Sequence, residues 1–336
     1  MSIEIPFPSV TLSHTPTALE PMPNLTNVME GPELWIKRDD CTGLAMGGNK
    51  ARQLEYYIGQ AKNEGADTLL TTGAVQSNHV RMTIAAARKT GMKVEVQLEQ
   101  RVSDQPPAYY ESGNPFLMKI MGAKTHTYPV GEDEDGADKA LYKLAEQLKS
   151  EGASPYVIPL SGMHTPYGAL GYVKAADEII QQMQALETNF DAIVVASGSA
   201  NTHAGLLFGL RLLGHPIKVY GMCVRRSAIL QQNRVLVKTN QLAEMFSIKS
   251  CVINSDIIVD DESLKPGYGQ LNNHVIEAIR LTAEAEGILL DPTYTGKAMA
   301  GFISHIRKGE WTKNQRVIFL HTGGTPALFG YPKVVE

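Results

Sequence analysis

The sequence predicts an α/β fold built on mainly parallel sheets. Three observations carry this. Short runs rich in β-branched and apolar residues alternate with helical patterns of roughly 10–15 residues. Small and polar residues gather at the strand-to-helix turns. No apolar run is long enough to leave water.

The elements follow in order. Asp67–Thr72 reads as a strand and Asn78–Lys89 as the helix after it, closed by Gly91. Lys93–Leu98 puts Val94, Val96 and Leu98 on one face, the period of a strand. Gly113–Met121 carries Pro115 in its first turn, where a missing N–H costs nothing. Lys124–Tyr128 is extended. Leu141, Leu144, Ala145 and Leu148 form the stripe of a helix over Ala137–Lys149, which ends at Gly152. Tyr156–Pro159 is extended, Gly168–Ala185 helical, Ala192–Ala196 a strand, Asn201–Leu213 a helix and Lys218–Val224 a strand. Asn273–Glu286, capped by Gly287, and the strand Arg316–His321 close the series. Arg101–Ser112 and Asn254–Gln270 read as long connections, a kind of segment that often lines a site. The acidic run Glu132–Asp135 reads as a solvated loop.

Composition removes several function classes. A chain of 336 residues fits about two domains. Thirty-one Lys+Arg against 35 Asp+Glu leaves a net charge of -4, with no basic excess to neutralise a phosphate backbone, so nucleic acid is excluded as the main partner. No segment reaches about 18 clean apolar residues, so no membrane span is expected. Met1–Glu4 has neither a basic nor an apolar stretch of the secretory type. Cys41, Cys223 and Cys251 are too scattered for a disulfide framework and point to a reducing cytoplasm. No histidine or cysteine cluster has metal-ligand spacing, and no G-x-S-x-G is present. Asp39-Asp40 reads as a structural turn, and Cys41 as either a small packed residue or a reactive thiol.

Five turns carry candidate chemistry. Gly47-Gly48-Asn49-Lys50 precedes an amphipathic helix with Leu54, Ile58 and Ala61. Asn49 is placed to cap that helix, and Lys50 falls in its first turn, where the positive helix end favours a neutral amine. Such an amine suits a nucleophile or a Schiff-base lysine; the alternative is a surface lysine after a glycine turn. Gly73–His79 puts Ser77, Asn78 and His79 at a helix start, an anion site suited to a carboxylate, with a plain capping serine as the alternative. Ala196–Gly205 places small residues between a strand and a helix, where backbone N–H groups can wrap a phosphate. Its spacing is neither G-x-G-x-x-G nor a Walker loop. Asp291–Lys297 and His321–Gly324 follow apolar runs, at strand ends where α/β proteins bind ligands.

Together these residues resemble the tryptophan-synthase-β-like, fold-type II pyridoxal-phosphate enzymes. Within them the chain is similar to the family of 1-aminocyclopropane-1-carboxylate deaminase, D-cysteine desulfhydrase and L-cysteate sulfo-lyase. The resemblance spans Leu12–Thr17 to His321–Gly324. It rests on Ile36–Asp40, Gly47–Lys50, Gln76–His79, Thr202–Gly205 and Asp291–Lys297.

The resemblance implies two open twisted, mainly parallel sheets flanked by helices, with pyridoxal 5'-phosphate in the cleft between a large domain (1–50 and 160–336) and a small one (51–159). It implies a homodimer. Lys50 matches the lysine that forms the Schiff base with the cofactor, and Asn78 the asparagine near its 3-hydroxyl. Ser197, Gly198, Ser199, Ala200, Asn201 and Thr202 match the phosphate cup, although Ala200-Asn201 stand where many members have Gly-Gly or Ala-Gly. Thr322 matches the hydroxyl residue facing the pyridine nitrogen. Ser77 matches the serine that holds the substrate carboxylate, with Gln76, Asn78 and His79 beside it. Tyr294 and Tyr268 match two active-site tyrosines, and Lys50 or Tyr294 is expected to take the α-proton.

Ring-opening members carry Glu where this chain has Thr295. A threonine gives the pyridine a shallower electron sink, which suits β-elimination of a good leaving group to pyruvate and ammonia. Cys41–Leu44 and Val224-Arg225 look like the sulfo-lyases; Ala45–Gly48 looks like the desulfhydrases. The loop Ser161–Gly168 departs from both. His164 and Arg225 add cationic donors, so the expectation leans to sulfite release from L-cysteate over sulfide release from D-cysteine. The alternatives are the ring-opening deaminase and a non-catalytic amino-acid or pyridoxal-phosphate-binding protein.

Overall fold

The alternation resolves into two sheets. The computed structural model describes residues 3–162 and 164–335. Met1 and Ser2 of the N-terminal stretch, Met163 of the loop Ser161–Gly168, and Glu336 lie outside the described residues.

The strands are β1 (Leu19–Pro21), β2 (Glu33–Lys37), β3 (Thr68–Ala74), β4 (Lys93–Glu99), β5 (Lys124–Tyr128), β6 (Pro155–Ile158), β7 (Ala192–Ser197), β8 (Lys218–Cys223), β9 (Ile258–Asp260) and β10 (Arg316–Leu320). One sheet runs β1-β2-β10-β7-β8-β9 and the other β5-β4-β3-β6. All neighbours are parallel except β1 and β2. The helices are α1 (Pro23–Met29), α2 (Lys50–Asn63), α3 (Asn78–Lys89), α4 (Pro107–Glu111), α5 (Asn114–Ile120), α6 (Glu134–Ser150), α7 (Tyr167–Ala185), α8 (Asn201–Leu212), α9 (Ala228–Met245), α10 (Asn273–Glu286) and α11 (Thr295–Arg307).

Helices on both faces explain why the central strands read as unbroken apolar or threonine-rich runs: every residue of β3 and of β7 is buried. Along β10 the pleat divides the core. Val317 and Phe319 join the apolar cluster built with α10 and α11, while Ile318 and Leu320 join the one built with α7 and α8. A third cluster packs α2 and α3 on the smaller sheet through Leu54, Ile58, Val80 and Ile84. Among the described residues no helix is long and apolar enough to cross a membrane.

The structure adds elements the hydrophobic pattern does not disclose. α9 buries Gln231, Lys238 and Thr239 beside Val235 and Leu242, so its inward stripe is broken by polar residues. α11 is buried nearly all round and starts inside a segment that reads as a turn. The connection 101–112 contains α4, and 254–270 contains β9 and two single turns, at Asn254–Asp256 and Glu262–Leu264. The acidic run is not a solvated loop. Asp133 caps α6 by accepting the Gly136 N–H at 2.9 Å, and Glu134 opens that helix. The partly buried Glu134 carboxylate gathers Arg225, Arg226 and Arg234.

A buried ion network fixes the approach to α2. The Arg52 guanidinium grips both oxygens of Asp39 at 2.9 Å and reaches Glu178 at 2.8 Å. Lys37 joins Glu178 at 2.5 Å, and the Tyr172 hydroxyl donates to Asp39 at 2.5 Å. Burial works to raise the Asp39 carboxyl, but Arg52 and Lys37 hold it below the usual range. This ties the Asp39–Cys41 turn, α2 and α7 together two residues beyond Lys50.

Candidate active site

Two adjoining cavities open where the carboxyl ends of β3, β7 and β10 meet the start of α2. The first is lined by Asn49, Lys50, Asn78, His79, Gly198, Ser199, Ala200, Thr202, Tyr294 and Thr322. The second shares Lys50, His79, Gly198, Ser199 and Tyr294 and adds Ser77, Arg101, Glu134, His164, Asn201, Arg225, Lys238 and Tyr268.

The floor is two loops pressed together. Asn49 N–H donates to the Thr322 carbonyl at 3.0 Å. Gly48 has φ +128, and a Cβ on Gly323 would stand 2.6 Å from the Gly48 Cα, so both positions require glycine. Lys50 is the first residue of α2. Burial of its amine lowers the pKa from 10.5 to about 8. Its Nζ donates to Gln53 Oε1 at 3.2 Å. The Gln53 and Asn49 amides both donate to Thr202 Oγ1 at 2.9 Å, linking the starts of α2 and α8. Asn49 therefore braces Thr202 and does not cap α2 with its side chain. Having accepted two hydrogens, the Thr202 hydroxyl keeps its own to donate.

Ala200, at φ +73, turns the chain from β7 into α8, so the free N–H groups at the start of α8 face the cavity. Within the expected cup, Gly198, Ser199, Ala200 and Thr202 line the first cavity. Ser197 does not: its Oγ meets His203 Nδ1 at 3.1 Å and accepts from Gln231 at 2.8 Å. Asn201 lines the second cavity and turns its amide to the Tyr57 hydroxyl at 3.2 Å.

At the start of α3, Ser77 Oγ accepts the Val80 N–H at 3.2 Å as a cap and still lines the second cavity with its hydrogen free. Asn78 Oδ1 accepts from Asn114 at 2.9 Å and from the buried Arg81 at 3.1 Å, which also holds the Gly47 carbonyl. The Thr71 hydroxyl donates to the Ile158 carbonyl, so His79 Nε2 carries the hydrogen in its 3.0 Å contact with Thr71. That leaves His79 Nδ1 a buried acceptor without a partner, on a ring kept neutral by burial and by Lys50, with its pKa at about 3. Gln76 is not brought to either cavity. Its amide is spent on the Tyr109 and Ser112 carbonyls and on the Asn114 N–H.

Tyr294 and Tyr268 share a hydrogen bond of 2.8 Å between their hydroxyls, and Arg101 lies over the Tyr268 ring at 5.6 Å. Burial pushes both phenols up, so each is protonated at neutral pH. Thr295 lines neither cavity. It donates to Asp291 at 2.8 Å, and the same carboxylate accepts the N–H groups of Thr293, Tyr294 and Thr295. His164 meets Ser161 at 2.7 Å and Asp138 at 3.2 Å. Arg225 is engaged by Glu132 and Glu134. Gln53, Arg81, Arg101, Glu134 and Lys238 escape a motif reading because each lies outside a glycine-rich turn. Lys238 is 4% exposed, and burial, then Arg234, lower its pKa to about 7.

Comparison with known proteins agrees with this geometry. The family model "pyridoxal-phosphate dependent enzyme" matches residues 10–323. The chain is 42% identical over 325 residues to D-cysteine desulfhydrase of Salmonella typhi, covering 97% of this chain and 96% of the relative. The figures are the same for D-cysteine desulfhydrase of Salmonella paratyphi C. A crystal structure described as an ACC deaminase homologue superposes with a TM-score of 0.88 at 38% identity, over 98% of this chain and 96% of that one. The fold is shared more widely: O-ureido-L-serine synthase gives a TM-score of 0.66 at 16% identity, over 95% of this chain and 91% of that one. The residues present fit the cofactor. A helix start with free N–H groups and the Thr202 hydroxyl suits a phosphate, an amine near pKa 8 suits a carbonyl, and the unpartnered His79 Nδ1 awaits a donor.

Proposed function

The chain belongs to the pyridoxal-phosphate-dependent enzymes, and on that premise we propose that it is a carbon–sulfur lyase. It would release the β-sulfur group of a three-carbon amino acid and leave pyruvate and ammonia. One observation carries the reading: an amine near its titration point and a protonated tyrosine pair face one cavity whose wall is a helix start suited to a carboxylate.

Bound pyridoxal phosphate supplies the electron sink that acidifies the substrate α-carbon. Lys50, Asn78, Thr322 and the turn Gly198–Thr202 would hold it. Ser77 Oγ–H and the N-terminus of α3 bind the substrate carboxylate. Lys50 Nζ takes the α-proton; burial lowers its pKa to about 8, toward the neutral amine a base requires. The C–S bond breaks with its electron pair leaving on sulfur, and Tyr294 Oη–H, supported by Tyr268, donates a proton to the departing group. Water then converts the released enamine to pyruvate and ammonia.

The finer reading is sulfite release from L-cysteate, supported by the basic lining of the second cavity, where Lys238 stands beside Arg101 and Arg225. Sulfide release from D-cysteine is the second reading, supported by the 42% identity to enzymes of that name. Ring opening has less support here, because residue 295 offers a hydroxyl already engaged by Asp291 and no acid. A homodimer in the cytoplasm belongs to the same proposal, and light scattering with cell fractionation checks it.

The test is a panel of D-cysteine, L-cysteine, L-cysteate and the cyclopropane amino acid, with pyruvate, sulfide, sulfite and 2-oxobutyrate measured. Pyruvate matched by sulfide or sulfite is expected. Predominant 2-oxobutyrate, or no product from any substrate, sinks the lyase reading.

Thr322→Ala is expected to lower turnover by about 10- to 100-fold, the scale of one lost transition-state hydrogen bond. Only a hydroxyl is lost, so the melting temperature should hold within a few degrees. Unchanged turnover with an unchanged cofactor absorption band would mean that Thr322 does not face the ring.

A further inference from the structure

The larger cavity holds several cations, and nearly all are already matched. Arg101 is paired with Glu99 at 2.8 Å. Arg225 is taken by Glu132 and Glu134. Arg226 and Arg234, just outside, also converge on Glu134. His164 is held by Ser161 and Asp138. Lys50 is reserved for the cofactor. Lys238 differs. Its side chain enters the cavity from the middle of α9, it is 4% exposed, and no acceptor among the described residues meets its amine.

A buried ammonium without an acceptor is strongly disfavoured unless a ligand completes it. An apolar residue would pack that turn of α9 at less cost, so the position points to an anion that arrives with the ligand. Glu134 cannot serve, since three guanidiniums already share its two oxygens. Nor does the helix start of α3 compete, because the substrate carboxylate is met there.

We propose that Lys238 is a specificity-determining residue that binds an oxyanion on the β-substituent of the substrate, a sulfonate or sulfinate. This rests on the lyase reading and narrows its substrate class. It also moves recognition away from Arg225, whose charge is spent within the protein. Arg225 then acts as a positioning residue that keeps Glu134 off Lys238.

The cofactor phosphate is the other tetrahedral oxyanion within the cleft, since Gly198, Ser199 and Asn201 line the same cavity as Lys238. The experiment separates the two. Holoenzyme, Lys238→Met and Lys238→Arg are compared for kcat and KM on L-cysteate and D-cysteine, for pyridoxal-phosphate affinity by absorbance titration, and for binding of methanesulfonate by calorimetry. Lys238→Met should lower the L-cysteate to D-cysteine ratio of kcat/KM by about 10- to 150-fold, the range of a hydrogen bond to a charged group, mostly through KM. Methanesulfonate binding should vanish while cofactor affinity holds. Lys238→Arg should restore most of the ratio, which also guards against a folding defect.

Weakened cofactor affinity with equal losses on both substrates would make Lys238 a phosphate anchor and overturn the proposal. So would an unchanged ratio. If the wild type releases sulfide from D-cysteine and no sulfite from L-cysteate, Lys238 has no such role and the lyase reading still stands. No pyruvate from either substrate removes the lyase reading itself.

Discussion

Lys50→Ala is expected to lower pyruvate release by about four to six orders of magnitude, the scale on which removing a covalent catalytic group acts. The fold should survive, because the Lys50 side chain makes one hydrogen bond, to Gln53, and alanine is a good residue in a first helical turn. In the wild type, borohydride reduction followed by peptide mapping should place the cofactor on Lys50. The competing lysines are disposed otherwise. Lys37 is held by the Thr17 carbonyl, Glu178 and Gln182, and Lys297 by the carbonyls of Ser263 and Leu264. Label on Lys37, Lys297 or Lys238 would overturn the assignment. A pH signature accompanies the substitution. In the cofactor-free protein the folded pKa of Lys50 is about 8 against an ordinary 10.5. The unfolded chain therefore binds more protons between those values, and stability rises with pH across that window. Urea melts at pH 7.5 and pH 9.5 should show a smaller rise in Lys50→Ala than in the wild type.

Tyr294→Phe is expected to lower sulfide release from D-cysteine by about 10²- to 10⁴-fold, the contribution of a positioned general acid. The phenol is kept protonated by burial and by its bond to Tyr268, so it enters the reaction as a donor. Hydrosulfide leaves more readily when it takes up that proton. Sulfite has a conjugate acid of similar strength, so sulfite release from L-cysteate should fall by a similar factor. Solvent exchange of the substrate α-proton, followed by mass spectrometry in deuterated buffer, should persist, since the proposed acceptor of that proton is Lys50. Loss of exchange together with turnover would make Tyr294 the base and reverse the two roles.

The fold was largely legible because parallel strands covered on both faces must be apolar throughout, as β3 and β7 are. Turn residues at their ends then mark the site: Lys50, Ser77, Asn78, Thr202, Tyr294 and Thr322 all line the two cavities. Side-chain direction was not legible. Gln76 and Ser197 stand in the right turns, yet each points into the protein to satisfy buried backbone or side-chain groups. The amphipathic pattern hid α9, because the polar residues that interrupt its stripe serve the cavity and the end of β7. Glu134 looked like one of several surface acids until three arginines distant in sequence converged on it. Such encounters depend on tertiary contact, and no local window contains them.

The place of β10 has a consequence for how the protein is made. It fills the centre of the six-stranded sheet, between β2 and β7, and Arg316 pairs with Glu33 across 283 residues. At about 5–20 residues per second, a ribosome delivers the second strand roughly 15–60 s after the first. Meanwhile β2 and β7 each offer an unpaired edge, the surface on which nascent chains stick to one another. By contrast the four strands of the smaller sheet come from one stretch, Thr68–Ile158, and need nothing downstream. Thr322, whose carbonyl receives the Asn49 N–H, arrives with β10, so the floor of the first cavity is incomplete until nearly the whole chain is out. A message cut before codon 316 would yield a polypeptide that added vitamin B6 cannot rescue, and a chaperone that shields the β2 and β7 edges would raise the yield of the full-length one.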